Sequence, residues 1–226
     1  ASDYCLENKR FRLEIDSQTG FISRLYDKEK EFEIFEDTAA RPVVIEDKSD
    51  TWSHNKFKFD EEIGEFKAEN VSLVEDGPVK SVLRVISSYN NSKLIQDFTM
   101  YKELKKIDVK VRVDWREQFK MLKLKFPVNL HFRKTTYEIP YGHIERDVNG
   151  DEEPGQSWID LSGVMPGQGD LYGLSLINDS KYSYDVMNKE ISLTVLRSPI
   201  YAHHDPKKPQ ADEYYDFIDQ GLQEFN

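Results

Sequence analysis

From Lys106 to Trp115 the chain alternates without a break. Ile107, Val109, Val111, Val113 and Trp115 fall on one side, Lys106, Asp108, Lys110, Arg112 and Asp114 on the other. A period of two puts the apolar side chains on one face of an extended strand, whereas a helix would space them by three and four. The next segment repeats the pattern with Leu122, Leu124, Phe126 and Val128 against Lys123, Lys125 and Pro127. Further runs that read as strands lie at Phe11–Ile15, Phe21–Tyr26, Arg41–Asp47, Val71–Glu75, Val79–Tyr89 and Leu94–Tyr101. Turn formers such as Ser17-Gln18-Thr19-Gly20 and Asp76-Gly77-Pro78 separate them. The pattern predicts an all-β, multi-stranded antiparallel fold. With more than about ten strands a single open sheet would be unusual, so stacked layers, a β-sandwich, are expected.

Two runs near the carboxy end predict how those layers are covered. Leu171–Ile177 is apolar at nearly every position and reads as a strand buried on both faces. Ile191, Leu193 and Val195 alternate with Ser192 and Thr194 and read as a strand with one wet face. No linker or internal repeat divides the 226 residues, so one domain over residues 1–226 is expected, cut from a longer polypeptide at both ends.

Charge and cysteine content narrow the partners. A net charge of −11 disfavours nucleic acid, which needs a basic face to release counterions. No apolar run approaches the ~18–20 residues of a membrane-spanning helix, so no membrane partner is expected. The single Cys5 permits no internal disulfide and suits a reducing, cytoplasmic setting.

Four groupings could carry chemistry. Asp50-Thr51-Trp52-Ser53-His54 sets an indole among hydroxyls, an acid and an imidazole in an irregular stretch. A Trp face stacks on the C–H face of a sugar while such neighbours take its hydroxyls; the plainer reading is a Trp lidding the core. His203-His204-Asp205 has metal-ligand types, but adjacent residues of an extended segment point apart, and a solvated loop fits better. Asp147, Asp151, Glu152 and Glu153 lack the ordered spacing of a calcium loop and read as a solvated turn. His143 and Glu145, two apart on a strand, share a side. They could serve as acid and base on a sugar ring, as in a sugar epimerase, or form a hydrogen-bonded pair in the sheet. No P-loop, nucleophile elbow, HExxH or CxxC is present.

Several segments together resemble the carboxy-terminal β region of glycoside hydrolase family 38, the α-mannosidases. They are Tyr137–Arg146, Asn149-Gly150, Gln156–Ser162, Ile177–Tyr182, Leu196–Pro199, Asp219-Gln220-Gly221 and Glu224-Phe225, in the family's order, with Glu46–Trp52 and the Asn8–Asp27 meander upstream. The resemblance implies a supersandwich of the galactose-mutarotase-like kind. It implies an accessory role in a retaining, zinc-dependent enzyme whose nucleophile and zinc ligands belong to catalytic and helical domains outside this sequence. No catalytic residue, metal or cofactor is then expected within this chain. Its partners would be those domains and a mannose-containing oligosaccharide. Trp52, with Asp50 and His54 beside it, is the substrate-lining candidate that the resemblance implies. Arg197 and Asp219 approach the same cleft, with Arg197 equally able to anchor the last loop. Ser183 and Gln223 stand where relatives often have Gly and His, which questions a turn at the first and removes a polar contact at the second. A free-standing carbohydrate-binding module with Trp52 as its platform is the alternative.

Overall fold

The computed structural model describes residues 1–132, 134–203 and 213–226. Among them are nineteen strands and no helix, and every strand-to-strand pairing is antiparallel. The strands form four sheets. The first runs β1 (Cys5–Glu7), β2 (Phe11–Ile15), β3 (Ile22–Asp27), β4 (Phe32–Glu33) in chain order. β5 (Arg41–Glu46) and β6 (Glu62–Glu65) belong to the third sheet. The second holds β7 (Lys67–Asp76), β8 (Lys80–Tyr89), β9 (Ser92–Tyr101) and β10 (Ile107–Trp115), with β19 (Gly221–Phe225) returning to pair β10. The third also contains β11 (Lys120–Pro127), β14 (Glu153–Pro154), β17 (Ser183–Met187) and β18 (Glu190–Arg197), in the order β14-β17-β18-β11-β5-β6. The fourth is β13-β12-β15-β16, built from β12 (Lys134–Ile139), β13 (Gly142–Asp147), β15 (Trp158–Val164) and β16 (Leu171–Ile177).

Residues from all four sheets meet in one core, including Leu13, Leu83, Phe98, Trp115, Tyr137 and Tyr184. The phase read for β10 holds: Val111, Val113 and Trp115 are buried there, and the indole N–H of Trp115 donates to Ser198 Oγ at 2.8 Å. The turn at Asp16–Gly20 also forms as its residues dictate. Asp16 Oδ1 accepts the Gln18 and Thr19 amides, and Gly20 sits at φ +79° with Val85 packed where a Cβ would lie.

The two carboxy-terminal strands reverse the expectation. β16 is an edge strand, alternately exposed and half-buried; Tyr172, Leu174 and Leu176 pack on the core, while Leu171 and Ile177 are 78% and 70% exposed. The Tyr172 hydroxyl fixes this inner face by donating to the fully buried Asp27 carboxylate at 2.9 Å. β18 is instead buried along nearly its whole length, Ser192 and Thr194 included. The reason is position. β18 and β11 are central in a six-stranded sheet whose second face is roofed by Phe59 of the irregular segment after β5 and by Glu152, which reaches Lys123 and Thr194. Val43, Ile45, Met121 and Phe59 make a small separate cluster on that face.

Candidate functional site

The roof begins at Asp47, just past β5, and its first turn is held by one carboxylate–guanidinium pair. Asp47 is completely buried. Arg197, at the end of β18, meets it side-on: Nε donates to Oδ2 at 2.8 Å and Nη2 to Oδ1 at 3.2 Å. Nη2 also reaches Ser49 Oγ at 2.8 Å and the Asp50 carbonyl at 3.2 Å. The planar fork thus holds the first turn of the loop at several points, which an ammonium could not do. From the other side Gln220 donates its amide to the Arg197 carbonyl, and the Ile200 amide donates to the Ser49 carbonyl at 3.1 Å.

Asp50 forms the next turn, its Oδ1 accepting the Trp52 and Ser53 amides at 3.1 and 2.8 Å. Its Oδ2 is buried, makes no hydrogen bond, and lies 3.6 Å from His54 Nδ1. Ser53 and Asn55 adopt left-handed φ values of 53° and 57° and turn the chain back. Trp52 is left 56% exposed, its ring 6.1 Å from that of His54 and inclined by 37°. Four of the five predicted lining residues, Asp50, Trp52, His54 and Arg197, are therefore brought together. Asp219 is exposed and caps its own turn by accepting the Gly221 amide at 3.1 Å; it joins the group only through its neighbour Gln220. An exposed indole beside an imidazole on a fixed loop can stack on and hydrogen-bond a sugar, but it encloses nothing. Two concavities of about 310 and 320 Å³ lie elsewhere, the first at Leu130–Phe132 and Lys189, the second beside Phe59, Lys125 and Asp185.

A second cluster under the same roof was not expected. Lys123 is 1% exposed; its ammonium lies 2.6 Å from Glu152 Oε2 and 2.5 Å from Asp185 Oδ2. Glu152 Oε1 in turn accepts the Ser183 and Thr194 hydroxyls, each at 2.5 Å. So Glu152 is no solvated turn residue, and Ser183 is no turn residue at all: it lies on β17 with its hydroxyl bonded. The buried Phe59 ring has Lys56, Arg197 and Lys123 cations at 4.6, 4.7 and 5.9 Å from its centre, so its π face ties the two clusters together. Gln223 keeps a polar role, donating to Gln220 Oε1 and accepting from Lys181 Nζ, both at 2.6 Å.

Burial pushes the Asp185 carboxyl above its ordinary range; the Lys123 ammonium pulls the other way without prevailing. With a folded value above the unfolded one, the native state keeps a proton that the unfolded chain has released. The contribution to stability is thus full below the unfolded value and drains as pH rises through the folded one. Urea titrations at a series of pH values should show the wild type losing ground to Asp185→Asn as pH rises across the carboxylate range. A pH-independent difference between the two would contradict this.

The remaining groupings are dispersed. His143 and Glu145 are exposed on the edge strand β13, with His143 opposite Glu138 and Glu145 3.8 Å from Lys134. His204 and Asp205 lie outside the described residues. Among the described residues no group of three or more His, Cys, Asp or Glu is placed to hold a metal ion.

Fold and site define a class, an all-β antiparallel domain of four sheets carrying an aromatic side chain on a loop clamped by a buried ion pair. The chain belongs to the glycosyl hydrolases family 38 C-terminal domain family, whose model matches residues 6–210. Alpha-mannosidase G of Dictyostelium discoideum is 27% identical over 219 residues, 88% of this chain and 19% of that protein. Alpha-mannosidase 2C1 of Mus musculus is 32% identical over 117 residues, 48% of this chain and 11% of that protein. This chain therefore spans a fifth or less of these curated relatives. The crystal structure of an alpha-mannosidase from Enterococcus faecalis V583 matches with a TM-score of 0.74 at 13% identity, over 99% of this chain and 28% of that one, a likeness of fold.

Proposed function

We propose that this chain is the accessory carboxy-terminal β-domain of a retaining α-mannosidase, its sheets stacked as a supersandwich. In this reading it packs on catalytic and helical domains of the same polypeptide and closes part of a cleft for mannose-containing oligosaccharides. Trp52 is the lining residue, flanked by Asp50 and His54, while Arg197, with Asp219 and Gln220 behind it, holds the loop in place. The observation that carries the reading is the pairing of a half-exposed indole with a rigidly anchored base. A loop fixed at this many points loses little entropy when a sugar docks, so stacking energy goes into affinity.

In this reading zinc and the residues that hold it belong to the catalytic and helical domains, where the metal would orient the sugar hydroxyls and polarise the reacting centre. Attack on the anomeric carbon and the acid–base work of a retaining enzyme likewise fall to carboxylates there. What this chain contributes is position: an aromatic wall that excludes water from one side of the sugar.

The test is Trp52→Ala in the full-length mannosidase. Stacking is worth about 0.5–1.5 kcal/mol, so KM for an aryl α-mannoside should rise by up to about tenfold. The stability of this domain should barely change, because the ring is more than half exposed. An unchanged KM would remove Trp52 from the cleft. The chain by itself should hydrolyse no aryl α-mannoside; micromolar binding of mannose oligosaccharides by the isolated chain, lost in Trp52→Ala, would instead favour a free-standing binding module.

A further inference from the structure

Four sheets have eight edges, and seven of those found here are protected in ordinary ways. β1, β4 and β14 are two or three residues long. β6 is short, bulged and carries Glu62 and Glu65. β7 is charged and bulged twice, β13 carries Glu145, Arg146 and Asp147, and the five-residue β19 carries Glu224. β16 has none of these devices. Its seven residues, Leu-Tyr-Gly-Leu-Ser-Leu-Ile, include no charge and no proline, and its register with β15 runs without a bulge. Charge, shortness and bulges are what keep edges from pairing with other chains, so their joint absence marks this one.

The hydrogen-bond phase shows which groups are bare. The Asn178 amide donates to the Ser157 carbonyl and the Met165 amide to the Asp170 carbonyl, one just beyond each end of the β15–β16 ladder. Bonding alternates along an antiparallel strand, so Tyr172, Leu174 and Leu176 face β15, while Leu171, Gly173, Ser175 and Ile177 point their N–H and C=O groups outward. None of those outward groups has a hydrogen-bond partner among the described residues.

We infer that β16 is a self-association edge, at which a second copy of this chain adds its own β16 antiparallel about a two-fold axis through Leu174. The phase allows it. That axis sets Leu171 against Ile177 of the second copy and Gly173 against Ser175, so every outward-facing residue meets an outward-facing one, and each such pair exchanges two N–H···O bonds. The side chains agree on both faces. Leu171 lies beside Ile177 on the exposed side and Tyr172 beside Leu176 on the core side, where Tyr172, Leu174 and Leu176 are only half covered. Charge selects the same place. At −11 per chain, copies repel over most surfaces, and β16 brings no acid opposite another. A closed two-fold contact of this kind is isologous and stops at the dimer.

Sedimentation velocity of the whole chain from low to high micromolar concentration tests the inference. The wild type should pass from monomer to dimer, and the L171K/I177K double variant, which sets lysine opposite lysine at both ends of the pairing, should associate about tenfold more weakly or worse. Both positions are exposed, so its thermal midpoint should match the wild type. The charge-matched variant V79K/L104K, altered at exposed apolar positions elsewhere, should dimerise as the wild type does. Amide exchange at Leu171, Gly173, Ser175 and Ile177 should slow on association. A chain monomeric throughout overturns the inference, even if the edge proves to take up a strand from another protein. So does a dimer indifferent to L171K/I177K.

Discussion

Arg197→Ala is expected to destabilise the chain by about 3–5 kcal/mol, the cost of leaving a buried charge without its partner. Asp47 has no exposed surface, and the same guanidinium supplies two of its hydrogen bonds and two more to Ser49 and Asp50. Removing the side chain strands the Asp47 carboxylate and releases the turn that carries Trp52. It also uncovers the Phe59 ring on which the guanidinium rests at 4.7 Å. Arg197→Lys should recover only part of the loss, because one ammonium cannot span Asp47 and Ser49 as the fork does. Asp47→Asn combined with Arg197→Met should cost less than Arg197→Ala alone, since no uncompensated charge remains. Urea midpoints for the three variants decide the matter; an Arg197→Ala loss below about 1 kcal/mol would mean that the pair behaves as a surface salt bridge.

The same pair shows where reading the sequence stops. Strand phase was legible wherever one face met water, because alternation records the contrast directly: β10 is the clear case. Coverage of a sheet's second face was not, because it depends on what the rest of the chain lays over that face. β16 is apolar yet half exposed because the outer face of its sheet is open, as the alternation of its inner neighbour β15 also shows, and β18 carries Ser192 and Thr194 yet is buried because a distant loop brings Glu152 to Thr194. Lys123 looked like a solvent-facing residue in a regular alternation for the same reason. The Trp52 loop could be proposed from local composition, an indole among hydroxyls and acids. Its anchor could not, since Asp47 and Arg197 are 150 residues apart and neither has a local motif. Family resemblance brought Arg197 into view; only the fold shows what it holds.

Lys123→Met should be comparably costly, about 3–5 kcal/mol, and its loss should depend on pH. The ammonium lies between Glu152 and Asp185 with 1% of its surface exposed, so methionine fills the volume but leaves two largely covered carboxylates, 11% and 13% exposed, without their cation. Burial already holds Asp185 high with the lysine present. Without it, like charge and burial act in the same direction, and protonation becomes the way to relieve both. The folded value then rises further above the unfolded one, so the variant regains stability as pH falls and is worst above that folded value. Measured by urea denaturation, its deficit against the wild type should therefore shrink from about pH 7 to about pH 5. Replacing all three, Lys123→Met with Glu152→Gln and Asp185→Asn, should recover most of the loss at neutral pH. The Ser183 and Thr194 hydroxyls would still find an amide oxygen, and no charge would remain to be solvated. A deficit for Lys123→Met that is the same at both pH values would show that water reaches the carboxylates, through the tenth or so of their surface left open, and screens them.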